Sequence, residues 1–337
     1  MSVVKPGLNK YEVVLANKYY LRELVESISL DESLSDIAYH AQVRLLVTDE
    51  FQKIGIANGQ EIRISGIPFG GSSMVYLLHP GVVWECSSET TGIKHIDIDI
   101  YDRSIYLAKS EDEYLFPAGQ TATDRLKQYC KDWGITSSII ADTKIALAKG
   151  VYRAQSIYSM IQRDIQETAV KGGGLFRARM SPDGLELIEL GKNKNVWVLE
   201  PDQNVSQITQ KRTLEGTVTQ VKVLGNAGED SRSPVLAIEK GETAKYGTLQ
   251  VVLQDEKITT ASAASISAKK LLCGMQETFE VEAIDINTIR AGDKVMLSST
   301  ELYVISVNHQ LGNPGKMTLE LASEDYVRRR FYLEGTG

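Results

Sequence analysis

The chain has 337 residues, of which 42% are apolar and 24% charged, an ordinary soluble usage that excludes a disordered, collagenous or disulfide-scaffold protein and, at this length, one small module. Lys plus Arg number 37 against 44 Asp plus Glu, a net charge of −7 with no long basic run, which argues against a sequence-specific nucleic-acid binder gripping phosphates. Cys86, Cys130 and Cys273 are scattered without a Cys-x-x-Cys spacing, pointing to free thiols in a reducing compartment and away from structural zinc; nothing resembles a leader or a membrane span of ~20 apolar residues.

From residue 11 to about 107, short alternating runs at 11–16, 38–47, 61–67, 82–86 and 96–100, separated by Gly and Ser clusters, predict antiparallel β structure. The clearest is Lys94-His95-Ile96-Asp97-Ile98-Asp99-Ile100, whose period of two sets the isoleucines on a core face and His95, Asp97 and Asp99 on a polar one. After Phe116-Pro117-Ala118-Gly119 the period becomes helical. Ala122, Leu126, Tyr129, Cys130 and Trp133 form one stripe, with Thr121 as N-cap and Gly134 as stop. Trp133 on that stripe is expected to be core. A second helix is predicted over 153–168 through Ala154, Ile157, Tyr158, Ile161 and Ile165, followed by a hairpin, 175–180 and 185–190, turning at Ser181-Pro182-Asp183-Gly184. A third helix follows Thr259-Thr260, with Ala261, Ala264, Ala268, Leu271 and Leu272 on its stripe, before alternation resumes from 279 to 321.

The two β regions read as copies. Gln42-Val43-Arg44-Leu45 pairs with Gln220-Val221-Lys222-Val223, and the strands at 82–86 and 96–100, joined through Gly92 and Lys94, pair with those at 302–306 and 317–321, joined through Gly315 and Lys316. The expected fold is β-rich and α+β: two antiparallel β-barrel or sandwich domains related by duplication, with a middle α+β domain; the resemblance described below implies that the two β domains are tube-like. Their bounds are 1–115 for the first, 116–204 for the middle, 205–228 with 278–328 for the second, and an insert at 229–277 packing with the middle domain. Residues 25–106 on one side, and 207–224 with 278–322 on the other, should share one topology.

Chemistry is weakly signalled. Ser267-Ala268-Lys269-Lys270 fits Ser-x-x-Lys without its partner motifs, and His40, His79, His95 and His309 lack metalloprotease spacing. His95, Asp97 and Asp99 could ligate a metal only from one strand face, where a solvated polar surface is the commoner use. Gly172-Gly173-Gly174 lacks the Lys-Ser/Thr of a phosphate loop, Gly70-Gly71-Ser72-Ser73 reads as a turn, and Arg328-Arg329-Arg330 reads as a solvated tail. No catalytic, cofactor-binding or metal-ligating residue is assigned.

Lys245-Tyr246-Gly247, Asp255-Glu256-Lys257-Ile258-Thr259-Thr260, the Ala-rich helix to Leu271-Leu272, and Ile289-Arg290-Ala291-Gly292-Asp293-Lys294-Val295, in this order, resemble the C-terminal half of phage tail hub proteins. The segment from Phe116 to Trp133 with Gly134-Ile135 is similar to the first helical segment of such hubs. The resemblance is to the XkdQ/YqbQ group of PBSX-like prophages and bacteriocin particles, within the late control gene D-like hubs. It implies a non-enzymatic structural homotrimer, assembled in the bacterial cytoplasm and carried in the baseplate of a virion or contractile particle. It adapts a sixfold tail tube, or a tube initiator, above to a threefold central spike below, with baseplate wedge and tape-measure or LysM-type proteins nearby. A different class, a cell-wall-active enzyme or carbohydrate-binding module of the tail tip, is the alternative. If a ring forms, Asp97 and Asp99 are the candidates to line its channel, where an acidic wall lets a polyanion pass without sticking.

Overall fold

Alternation decides the β regions, and strand Ile93–Asp102 shows how: Ile98 and Ile100 have no exposed surface, while Asp97 and Asp99, which alternate with them, point the other way. The computed structural model describes residues 10–226, 232–254 and 258–333; Asp255, Glu256 and Lys257 of the expected motif, and the expected start of the insert at 229, lie outside them. By contacts the chain divides into a unit of residues 1–209 with 279–337 and a unit of residues 210–278.

Ten strands carry the duplication. The first five are β1 (Val25–Ser33), β2 (His40–Leu46), β3 (Glu61–Gly66), β4 (Val75–Thr91) and β5 (Ile93–Asp102). The second five are β6 (Val205–Thr213), β7 (Gln276–Ile284), β8 (Lys294–Leu297), β9 (Thr300–Gln310) and β10 (Lys316–Ala322). Side by side they run β1-β2-β5-β4-β3 and β6-β7-β10-β9-β8, one topology used twice. The likeness extends to defects. The β4–β5 ladder skips Trp84 between the pairs Val83–Ile100 and Glu85–Asp99, and the β9–β10 ladder skips Ile305 between Val304–Leu321 and Ser306–Glu320.

The turn before the third strand of each set is also shared. Gly59 and Gly292 have φ of 85° and 89°, a left-handed backbone that glycine adopts without penalty. The Gln60 side chain accepts from the Ala57 amide at 2.9 Å, and the Asp293 side chain from the Arg290 amide at 3.0 Å. Gly59 and Gly292 then donate to Val83 and Val304 at 2.7 and 2.8 Å. Each copy has its own core, built in the first on Leu30, Val43, Ile64 and Ile98 and in the second on Val281, Val295, Val304 and Leu319. The two sheets join where β1 pairs antiparallel with β9, from Ser33–Ser306 to Ser29–Gln310.

Gln220-Val221-Lys222-Val223 is not the counterpart of Gln42-Val43-Arg44-Leu45. The topological partner of β2 is β7, and Gln220–Leu224 lies in a separate sheet between Val235–Lys240 and Gln250–Gln254. In that unit helix Ala261–Leu271, capped by the Thr260 side chain accepting from Ala263, buries Ala264 and Ala268 on Val221 and Val223. The apolar stripe of this helix is thus covered by strands of its own unit.

In the middle region helix Ala122–Asp132 starts on a Thr121–Asp124 capping box, and Gly134 follows with φ 61°. The predicted second helix starts later than Arg153. Gly150–Ser156 is a strand pairing with Glu111–Phe116, and the helix runs Ile157–Val170 from Ser156, whose side chain accepts from the Ser159 amide. The hairpin Phe176–Ser181 with Gly184–Glu189 forms as predicted. Trp133 is not core: it keeps 38% of its surface exposed and donates from Nε1 to Asp112 at 3.2 Å. Arg328-Arg329-Arg330 is no solvated tail either, because the turn Arg328–Leu333 packs down and Tyr332 donates to the Phe176 carbonyl at 2.7 Å. Among the described residues no helix is long and apolar enough to cross a membrane.

Candidate functional site

With Ile98, Val43, Leu30 and Val307 turned inward, β5, β2, β1 and β9 present one polar face that crosses from the first β copy into the second. Asp97 accepts from Arg44 at 2.7 Å, and the same guanidinium reaches Glu89 at 3.1 Å and Glu26 at 3.5 Å. Asp99 contacts His40 at 3.0 Å, Asp31 lies 3.7 Å from the other ring nitrogen, and Asn308 across the seam donates to Asp31 at 2.5 Å. Burial alone would lower the His40 pKa, but the two carboxylates outweigh it and hold the imidazole above its ordinary value. Asp31 is correspondingly held low against its own burial by His40 and Asn308.

His95, Asp97 and Asp99 share one strand face but take different partners, since His95 contacts Glu26 at 2.8 Å while Asp97 and Asp99 take Arg44 and His40. Asp97 and Asp99 are therefore members of an ion-paired lattice with Arg44 and His40, which Asp31, Glu26 and Glu89 share; Glu85, Glu280 and Glu282 are exposed on neighbouring strands.

A second constellation, invisible in the sequence, fixes the seam. Glu32 of β1 has no exposed side-chain surface; it accepts from Arg290 Nε and Nη2 at 2.5 and 2.7 Å and from the Ala291 amide at 3.0 Å, with Arg177 Nη2 at 3.1 Å. Burial would raise its pKa, yet Arg177 and Arg290 hold it down to about 2. Arg177, on the middle hairpin, also donates to the carbonyls of Ala291, Ser33 and Asp36 at 2.7, 2.9 and 3.1 Å. One carboxylate thus ties together the first copy, the Arg290-Ala291-Gly292-Asp293 turn of the second, and the middle hairpin. In the sequence the only sign of it is that turn, Arg290-Ala291-Gly292-Asp293.

Two arrangements look enzymatic and are closed to solvent. Asp164 takes Arg125 at 2.6 Å and the Tyr152 hydroxyl at 2.5 Å, with the Arg125 side chain wholly buried. His309 sits 2.6 Å from Asp285 and 2.9 Å from the Ile289 carbonyl, again with no exposed surface. Both sit in the core, where each ties together the elements that carry its members. A cleft of about 540 Å³ runs beside Trp133, Tyr106, Arg103 and Met180, with Asp183 the acidic residue among those lining it.

The solved prophage MuSo2 43 kDa tail protein of Shewanella oneidensis shares this fold with a TM-score of 0.72 at 12% identity, over 94% of this chain and 99% of that one. An Escherichia coli component of the type VI secretion system, described as similar to the bacteriophage T4 tail proteins gp27 and gp5, matches with a TM-score of 0.54 at 9% identity, over 90% of this chain and 74% of that one. The YqbQ protein of Bacillus subtilis (strain 168) is 23% identical over 241 residues, 67% of this chain and 73% of its own length. With the YQBQ-like family model matching residues 28–322, most of its length, this chain belongs to the YQBQ-like family.

Proposed function

We propose that the chain is a structural hub of a contractile phage tail or tail-like particle, three copies closing into a ring between a sixfold tail tube and a threefold spike. The observation that carries this is the single strand order used twice, down to the skipped residue and the glycine turn. Three chains with two equivalent β domains each present six similar surfaces upward while keeping threefold symmetry downward. The fold shared with a prophage tail protein supports the setting. The rival reading as a cell-wall glycosidase needs two carboxyl groups flanking a bound sugar, and the open cleft beside Trp133 offers Asp183 alone.

In such a ring the polar face lines the channel, where paired carboxylates repel a passing polyanion without trapping it. The two copies contribute unequally, because ladder equivalence puts Thr318 and Glu320 of the second at the places of Asp97 and Asp99. Light scattering tests the assembly: a mass of three chains, binding tube protein on one side and spike on the other, is expected, and a persistent single-chain mass in the presence of both overturns it. Asp97→Lys with Asp99→Lys tests the wall. Particles should assemble in normal number and lose ejection or killing, whereas unchanged ejection removes these residues from the channel.

A further inference from the structure

The cleft of about 540 Å³ beside Trp133 falls within the size of small-molecule sites, roughly 300–1,000 Å³. Arg103, Tyr106 and Ser110, which follow β5, form one wall, and Trp133, Thr136 and Asp183 of the middle region form the other. Two aromatic rings stand in it partly uncovered, Tyr106 with 45% and Trp133 with 38% of its surface exposed. Both are held in place. The Trp133 indole donates its one N–H to Asp112 at 3.2 Å, and Tyr106 meets Trp84 edge-on with ring centroids 6.1 Å apart. The backbone of the walls is already spent. The amides of Ile135, Arg103, Ser110 and Asp183 donate to the carbonyls of Cys130, Pro80 and Tyr106 and to Ser181 Oγ, at 2.8, 3.0, 2.9 and 3.3 Å, and the Thr136 carbonyl accepts from Leu185 at 2.8 Å. A strand-like peptide would need such groups free to form a ladder. Recognition is therefore left to side chains. The Tyr106 hydroxyl and the Asp183 carboxylate have no partner among the described residues, and Arg103 reaches Glu61 at 3.7 Å with about half of its side chain exposed.

We propose that this cleft is a saccharide-binding site, which takes a pyranose against Trp133 and Tyr106. The C–H face of a pyranose is apolar and slightly positive, and the face of an aromatic ring is negative. Around the rings, Arg103 supplies donors for sugar oxygens and Asp183 accepts from sugar hydroxyls, with the hydroxyls of Tyr106, Ser110 and Thr136 able to do either. Other ligand classes leave one of these groups unused. A polyanion gains nothing from one cation facing one carboxylate. A purely apolar molecule would desolvate both charges without pairing them. A proline-rich segment would use the two rings, but proline has no N–H to offer Asp183. The sugar is held and not cleaved, because glycoside hydrolysis takes two flanking carboxyl groups and Asp183 stands alone. Every wall group belongs to one chain, so the site stands whether or not three copies close into a ring.

The test titrates the full chain with chitotriose, maltotriose and an oligoproline peptide, read by calorimetry and by tryptophan fluorescence. At least one sugar should bind saturably, with a dissociation constant of roughly 0.1–10 mM, and shift the emission. Trp133→Ala should weaken that binding at least about tenfold, while Trp133→Phe, which keeps a ring, should weaken it less than about threefold. Asp183→Asn, at an exposed turn position, should weaken it about threefold or more while leaving the thermal midpoint unchanged. Sugar binding that either Trp133→Ala or Asp183→Asn leaves unchanged overturns the site. So does the absence of saturation by both sugars at concentrations above that range in a folded chain. Binding of the oligoproline alone also overturns it, and makes the cleft a seat for a partner protein's segment instead.

Discussion

The two β copies share strands, skipped residues and a glycine turn, but not what surrounds the turn. In the second copy Arg290 opens it and reaches Glu32, whereas Ala57 stands at that place in the first. The strand facing each turn differs in the same way. β1 supplies the buried Glu32, and with the shift that β1 makes after Val25 the exposed Arg212 of β6, bonded to Glu277, takes the equivalent position. A duplicated unit has thus been given one edge that is locked within the chain by a buried carboxylate between two arginines. The other edge is left with exposed, screened charge, which suits a contact formed on assembly rather than on folding.

Breaking the lock should produce the largest effect. Glu32→Ala leaves Arg177 and Arg290 buried without a counter-charge, and removing one partner of a buried ion cluster typically costs about 3–5 kcal/mol; a shift in the denaturant midpoint would measure it. Arg212→Ala, at the exposed equivalent position, removes only a surface ion pair with Glu277 and should cost under about 1 kcal/mol in the unassembled chain. The acid response has the same origin. Because the Glu32 pKa falls from 4.5 to about 2 on folding, its contribution is present in full above pH 4.5 and is lost as pH falls toward 2. The amount is on the order of 3 kcal/mol. Glu32→Gln should flatten the stability profile across that window; an unchanged profile would show that the carboxylate is not held low.

The paired glycines sharpen the comparison at a smaller scale. Both need a positive φ, which costs a residue with a Cβ roughly 1–2 kcal/mol. At Gly59 an added Cβ meets nothing within 4 Å, whereas at Gly292 it comes to 2.7 Å from Leu190 Cδ2 of the middle hairpin. Gly292→Ala should therefore be the worse by about 1 kcal/mol or more, and equal losses would mean that the hairpin yields freely. Trp133→Ala comes next. With its ring at the cleft and 38% exposed, the cost should be about 1 kcal/mol rather than the 3–5 kcal/mol of a core indole, read from the same midpoints.

What the sequence made legible was local. Ile96, Ile98 and Ile100 declared their face by period, Thr121 and Gly134 bracketed a helix by their backbone preferences, and Pro182-Asp183-Gly184 placed a turn. What it hid was pairing at a distance. Gln220-Val221-Lys222-Val223 matches β2 in pattern more closely than its topological partner β7 does, because short strands resemble one another, and the intervening unit separates β7 from β6 along the chain. The better signal was Ile56-Ala57-Asn58-Gly59-Gln60-Glu61-Ile62 beside Ile289-Arg290-Ala291-Gly292-Asp293-Lys294-Val295, where glycine and a side-chain acceptor keep their places because the turn demands both. The helix stripe was read too far back through Ala154, since the strand bonds that claim Gly150–Ser156 come from Glu111–Phe116, far outside any helical window. Glu32, Arg177 and Arg290 lie in three separate segments, and only the fold brings their charges together.

The smallest expected effect separates the two copies by pH. On the polar face the first copy has His40 between Asp31 and Asp99, while the matched hydrogen bonds of Val47 to Lys94 and Asp285 to Gly315 place Thr278 at the position of His40 in the second. Only the first copy can therefore titrate here near neutrality. A histidine whose pKa is raised on folding contributes stability that is fully present below its ordinary value of 6.5. That contribution is lost as pH climbs through the raised value, the reverse of the Glu32 response. Because His40 and its carboxylates are partly exposed, the effect should stay under about 1 kcal/mol, the scale of a surface ion pair. Thermal midpoints of the wild type should fall slightly from pH 6 toward pH 8, and His40→Gln should remove that slope while leaving the Glu32 acid limb intact. Imidazole proton shifts followed by NMR would assign it. If the His40 resonance titrates at or below 6.5, its carboxylate neighbours do not outweigh its burial, and the polar face of the first copy is less strongly coupled than its distances imply.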